Sequence, residues 1–109
     1  MSASSYSLED IEDWTAVEDL PDAVGETVTV KGWLYNSRSS GSIAFLEVRD
    51  GTGLVQAVVG EDEVDVESWE AVNEVDQEAA LEVTGTVVED ERQYGGVEIQ
   101  TDRVRTIGP

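Results

Sequence analysis

Five side chains in this sequence could do chemistry, and the chemistry is recognition of a nucleic-acid base rather than bond making. Phe45 lies in the run Ile43-Ala44-Phe45-Leu46-Glu47-Val48-Arg49. Side chains of a strand alternate between faces. Ala44, Leu46 and Val48 then form a core face, and Phe45 shares the wet face with Glu47 and Arg49. An outward aromatic on a binding sheet is a platform for base stacking; the plainer alternative is a surface ring covered by a loop or by the N-terminal helix. Gln56 is an amide inside the apolar run 54–59, and it offers a donor and an acceptor to a base edge. On its own it reads more readily as a solvent-facing glutamine at a strand edge. Arg38 and Arg92 fall in two polar loops that would rim the same face, where a guanidinium meets a phosphate or stacks on a base. They are also readable as ordinary solvated loop charges. Glu98 has the opposite parity to Val97 and Ile99 and points outward.

Other chemistry is thin. The 109 residues contain no cysteine and no histidine, which removes disulfides, thiolate metal sites and the commonest general base. No phosphate-binding glycine loop is present. Glu61-Asp62-Glu63 and Glu89-Asp90-Glu91 are solvated surface in so acidic a chain, and no carboxylate pair stands out as an acid and base. The sequence therefore implies no catalytic residues, no metal and no cofactor.

The elements that must position these groups are strands. Residues 27–36 alternate, with Val28, Val30 and Leu34 on one face, and 37–42 read as a polar loop. Residues 43–50 form the second strand, Asp50-Gly51-Thr52-Gly53 a hairpin turn, and 54–59 the third strand. That hairpin can bring Gln56 beside Phe45. Between 64 and 80 the period changes: Val66, Trp69 and Val72 recur at helical spacing behind Asp65, a suitable cap. Residues 81–89, with Leu81, Val83 and Val87 inward, and 97–104 supply strands four and five around a polar loop at 90–96. The first 25 residues differ. Ser7-Leu8-Glu9-Asp10 starts a short helix or acidic arm that Pro21 and Gly25 end, and the helix plugs one end of a barrel. The expected division is 1–25 as this arm and 26–109 as one domain. Three strands, a helix, then two strands is the order of an all-β, five-stranded OB-fold, a Greek-key barrel that binds oligonucleotides or oligosaccharides.

Charge is the loudest compositional signal: 25 acidic against 6 basic residues, a formal net charge of −19. The acids are spread along the chain and Lys31 is the only lysine. That pattern favours adaptation to molar salt, as in an extreme halophile, over an acidic patch for a basic partner. At 1 M salt the Debye length is about 3 Å, so self-repulsion is largely screened. No apolar run approaches the roughly 20 residues of a membrane span. No signal peptide is evident, and a soluble cytoplasmic protein is the default.

Two stretches carry a family resemblance. They are Val30-Lys31-Gly32-Trp33-Leu34-Tyr35-Asn36-Ser37-Arg38-Ser39-Ser40-Gly41 and the run from Ile43 through Phe45, Arg49-Asp50-Gly51-Thr52-Gly53 and Gln56. With Val83-Thr84-Gly85-Thr86-Val87 and Tyr94-Gly95-Gly96-Val97-Glu98, the chain over residues 27–107 resembles the N-terminal anticodon-binding domain of asparaginyl-tRNA synthetases, in the aspartyl/asparaginyl class II group. The resemblance implies that Phe45 stacks on the middle anticodon base, a uridine, that Gln56 reads it, and that Arg38 contacts the anticodon. It implies that Glu98 stands near the first anticodon base. The family's catalytic domain would follow Gly108-Pro109, so these residues are expected to bind rather than catalyse. Met1-Ser2 leans towards a free-standing relative over a piece of a longer ligase. The expected partner is RNA, a tRNA anticodon loop above all, with the chain a monomer. A general single-strand DNA or RNA binder, a protein-interaction module and a segment of a complete asparagine–tRNA ligase are the alternatives.

Overall fold

A computed structural model describes residues 14–75 and 78–107. Strands β1 (Thr27–Ser40), β2 (Ile43–Arg49), β3 (Leu54–Gly60), β4 (Ala80–Glu89) and β5 (Val97–Thr106) close into a barrel in the order β1-β2-β3-β5-β4. All neighbours are antiparallel except β3 and β5. The inward alternation is strict where the sequence alternates: Val30, Leu46, Val48, Val59, Leu81, Val83, Val87, Ile99 and Val104 are wholly buried. Removing this aliphatic surface from water, at about 25 cal/mol per Å², is what drives closure.

Two boundaries differ from the sequence expectation. β1 does not end at Asn36 but runs to Ser40, so the segment expected as a loop is mostly strand, and only a two-residue turn with Gly41 at φ +64° remains. Backbone pairing with β2 needs no apolar side chains, so a run of serines can be a strand edge. β1 also serves two partners. Thr27–Trp33 pair with β4, and Trp33–Ser40 pair with β2. At the handover Gly32 is required, because a Cβ there would collide with the Arg49 carbonyl. A bulge at Tyr35 follows, one extra residue between the Leu34↔Val48 and Asn36↔Glu47 pairs.

The expected helix start at Ser7-Leu8-Glu9-Asp10 lies outside the described residues. A 3-10 helix covers Val17–Ala23 and passes through Pro21, which was expected to end it. Proline's fixed φ near −65° lies within the 3-10 range, so the ring does not break so tight a turn. Val17, Leu20 and Ala23 enter the core. The helix is tied to the β2–β3 turn: Val17 N donates to Asp50 Oδ2 (2.8 Å) and Glu18 N to Thr52 Oγ1 (3.1 Å).

Helix α1 (Val66–Glu74) is capped as expected by Asp65, whose Oδ1 accepts from Ser68 N at 2.8 Å. Its buried face differs from the Val66–Trp69–Val72 stripe. Ser68 and Val72 are buried, Trp69 packs against the core, and Val66 is 74% exposed. Polar contacts set this rotation. Ser68 Oγ accepts from Val104 N (2.9 Å) and from Arg105 Nη1 (2.8 Å), while Arg105 also pairs with Asp65 (3.0 Å) and Glu67 (3.3 Å).

Asp50 joins the hairpin turn to the N-terminal helix, and its ionisation should report on the fold. Burial alone would raise its pKa. Hydrogen bonds from Val17 N–H, from the Thr52 hydroxyl and N–H, and from Gly53 N–H outweigh that and hold it below the usual carboxylate value. A depressed pKa contributes stability that is present above the unfolded value and lost as pH falls through the folded one. Asp50→Ala should therefore cost about 2 kcal/mol at pH 7. In urea melts the gap to wild type should narrow once pH drops below about 3.9, the ordinary aspartate value.

Candidate nucleic-acid interface

The outer face of β1, β2, β3 and β5 is laid out by register into three rows. The first holds Trp33, Arg49 and Leu54; the second Asn36, Glu47, Gln56 and Glu98; the third Arg38, Phe45, Val58 and Gln100. Phe45, Glu47 and Arg49 share this face, as alternation requires, opposite the buried Ala44, Leu46 and Val48.

Arg38 is not on a loop rim. It is a β1 residue directly across from Phe45, with its guanidinium carbon 4.6 Å from the ring centroid. That distance places the cation on the π face of a half-buried ring, an attraction worth about 0.5–1 kcal/mol at an exposed site. Gln56 is diagonal to Phe45, one pair along the hairpin, so the two functional groups expected on one surface are on one surface. Gln56 is not the solvent-facing amide of the plainer expectation: it is 6% exposed, and its Nε2 donates to Glu98 Oε1 at 3.4 Å across the β3–β5 seam. Burial pushes the Glu98 carboxyl up, the Gln56 hydrogen bond works against that, and Asp90 adds repulsion. Arg92 does lie in the 90–96 loop. It is committed to Asp90 through two contacts, Nε–Oδ1 at 3.1 Å and Nη2–Oδ2 at 3.2 Å, and this partner raises its pKa. The site residues thus form two contacting pairs, Arg38–Phe45 and Gln56–Glu98, and the Asp90–Arg92 pair of the 90–96 loop acts electrostatically on Glu98.

Sequence reasoning missed Tyr35. It keeps the outward parity of Trp33 on β1, and the Arg49 guanidinium lies 5.6 Å from its ring centroid. Arg49 was findable, since it keeps the parity of Phe45. Tyr35 was findable too, since it has the opposite parity to the inward Val28, Val30 and Leu34; what the sequence does not announce is the bulge that carries Asn36 and Arg38 outward after it. Beyond Leu54 the face runs into an apolar groove of about 260 Å³ lined by Val17, Pro21, Leu54, Val55, Gly95 and Val97. Among the described residues no cluster of acidic side chains could hold a metal ion, and no helix is long and apolar enough to cross a membrane.

Residues 28–107 match the family described as OB-fold nucleic acid binding domain, of the tRNA anticodon type. Asparaginyl-tRNA synthetase from Pyrococcus horikoshii is 34% identical over 86% of this chain and 22% of its own, with a TM-score of 0.79. A putative aspartyl-tRNA synthetase from Leishmania major Friedlin is 26% identical over 84% of this chain and 20% of its own, at TM-score 0.73. The chain therefore spans about a fifth of the length of these synthetases. OBody AM2EP06, seen bound to hen egg-white lysozyme, is 26% identical over 87% of this chain and 91% of its own, at TM-score 0.72.

Glu98 gives the interface a measurable signature. With its pKa raised, the folded state keeps the proton to higher pH than the unfolded chain does, so stability falls as pH rises from the ordinary glutamate value through the folded one. Glu98→Gln keeps an acceptor for Gln56 without the charge. It should melt at a higher temperature than wild type at pH 7, and the difference should vanish below about pH 4, near the ordinary glutamate pKa.

Proposed function

The chain belongs to the OB-fold nucleic acid binding domain family of the tRNA anticodon type, and from that premise we propose that it binds an anticodon-type RNA loop on the outer face of β1, β2 and β3. The observation that carries the reading is the Arg38–Phe45 stack standing beside the Gln56–Glu98 pair. Arg38 covers the ring in the free protein. An arriving base takes the ring face, and the guanidinium either lies over the base or moves to its phosphate. Gln56 has one amide hydrogen engaged by Glu98. Its carbonyl oxygen and second hydrogen remain to meet a donor and an acceptor on the base, which is the pattern of a uridine edge. With 6% of the residue exposed, only a narrow edge of that amide is open to a ligand. Glu98, on the same seam, stands near the neighbouring base. Arg92 adds a loop cation once the ligand competes with Asp90 for it.

The charge shapes the mechanism. Counterion release by lysine and arginine normally dominates nucleic-acid affinity. A chain with net charge −19 repels a polyanion, so stacking and hydrogen bonding must carry the binding, and molar salt aids it by screening. Such salt is also the setting in which this acidic surface is an adaptation. Recognition is the role we assign to these 109 residues; aminoacylation belongs to the parts of the synthetases that this chain does not match. A protein ligand is the second reading, since the lysozyme-bound OBody uses this fold for one.

A titration followed by NMR in about 2 M KCl tests the proposal. Shifts centred on Phe45, Gln56 and Arg38 are expected with a stem-loop carrying GUU and not with a scrambled loop. Equal shifts with both would make the chain a general single-strand binder, and none with either would leave protein binding. Phe45→Ala should cost about 1–3 kcal/mol of affinity for the cognate loop. Affinity should hold or rise between low and high salt; a steep loss, with the fold intact, would contradict the mechanism.

A further inference from the structure

We propose that Tyr35 and Arg49 form a second base-stacking station, so that the bound strand crosses the sheet from the Arg38–Phe45 row to the Trp33–Arg49 row. The inference rests on the nucleic-acid reading and extends its footprint beyond the central base.

Three observations carry it. Tyr35 repeats the arrangement at Phe45, an aromatic ring with a guanidinium over its face, at 5.6 Å against 4.6 Å. Both pairs are built by the same two strands: Arg38 lies opposite Phe45, and Arg49 opposite Trp33 at the edge of the Tyr35 bulge. Tyr35 and Trp33 are 47% and 48% exposed, which puts two large rings on the wet side of the barrel. The cations are also few. Of the 6 basic residues in the sequence, Lys31, Arg92 and Arg105 sit within 4 Å of carboxylates and Arg103 lies on β5 opposite Thr84, whereas Arg38 and Arg49 lie over rings on this one face. Concentrating two ring-bound arginines there gives the face its complementarity to a nucleic acid.

Spacing fixes how the strand must lie. Phe45 and Arg49 are four residues apart on β2, about 13 Å at 3.3 Å per residue. Bases in one stack advance by only about 3.4 Å. The two stations therefore cannot serve neighbours in a single stack, and the strand must splay, with an intervening nucleotide over the Glu47–Gln56 row. Glu47 and Glu98 in that row repel phosphate, so bases face the sheet there and the backbone is held outward. A pair that only stabilised the fold would need none of this, and the test separates the two roles.

Affinities would be measured in about 2 M KCl for the GUU stem-loop and for two versions of it, each made abasic two nucleotides to one side of the middle base. Tyr35→Ala and Arg49→Gln should each weaken binding about five- to fifty-fold, while Tyr35→Phe stays within about twofold because the ring is kept. One of the abasic loops should lose as much as Tyr35→Ala does, and Tyr35→Ala should cost nothing further on that loop. Thermal melts identify any variant that has merely lost the fold, in which case Tyr35→Phe and Arg49→Gln carry the test. If Phe45→Ala loses binding while Tyr35→Ala and Arg49→Gln bind as wild type, the second station is wrong and the anticodon reading stands. Tyr35→Ala costing as much on both abasic loops as on the intact one would overturn it equally. Wild type that binds no loop at all would remove the reading and the station together.

Discussion

The close crossing of β1 and β2 at Gly32 is the constraint on which the rest of the barrel depends. A single strand, Thr27–Ser40, has to pair with β4 along its first half and with β2 along its second. That is possible only if it passes tightly over the end of β2, where the Arg49 carbonyl occupies the space a side chain would need. Any residue with a Cβ would push the two strands apart at the point where β1 changes partners. The Tyr35 bulge is the companion device: it absorbs the change of direction and shifts the alternation by one residue, so that Leu34 stays inward while Asn36 and Arg38 come out over β2. The corner that lets the barrel close is thus also the corner that presents Tyr35, Arg38 and Arg49 to solvent.

A protein this acidic has to spend its few cations selectively. One is structural. Arg105 fastens α1 to β5 through Ser68, Asp65 and Glu67, and this ties down a helix that buries only Ser68 and Val72. Asp65 serves that contact and the helix N-terminus together, and the guanidinium beside it holds its carboxyl well below the usual range. Lys31 and Arg92 are paired locally with Glu82 and Asp90. The arginines of the outer sheet are placed differently, over aromatic faces, where a weakly hydrated planar cation is well accommodated. Stacking suffers less from salt than a phosphate contact does, which suits a domain whose overall field opposes its ligand.

Much of this was legible in the sequence. Period-two alternation located all five strands, because the inward positions of the closed barrel are almost all aliphatic while the outward ones mix polar, charged and aromatic side chains. It also set Phe45 on the outer face, and Asp65 announced α1. What was not legible depended on pairing rather than composition. The serine run after Asn36 is strand because β2 lies alongside it, so Arg38 moved from a loop to a position across from Phe45. Gln56 is buried because β5 runs parallel beside it and brings Glu98 over the seam, a contact between residues 42 apart in sequence. Val66 turned outward because hydrogen bonds to Ser68 set the rotation of the helix. The bulge at Tyr35 has no local signature, and with it went the outward turn of Asn36 and Arg38, which plain alternation from Leu34 would have sent inward.

The parallel seam has a consequence for how the barrel assembles. β3 and β5 meet over only three residue pairs, Gln56↔Glu98, Ala57↔Ile99 and Val58↔Gln100, whereas β4 and β5 are paired over nine. The hairpin β2–β3 is local and can zip early; the seam must wait until forty residues of chain have been gathered, and it returns little for that loop entropy. A ligand lying across Phe45, Gln56 and Glu98 would bridge the two sides of this joint like a suture, so that occupancy and completion of the fold become one equilibrium.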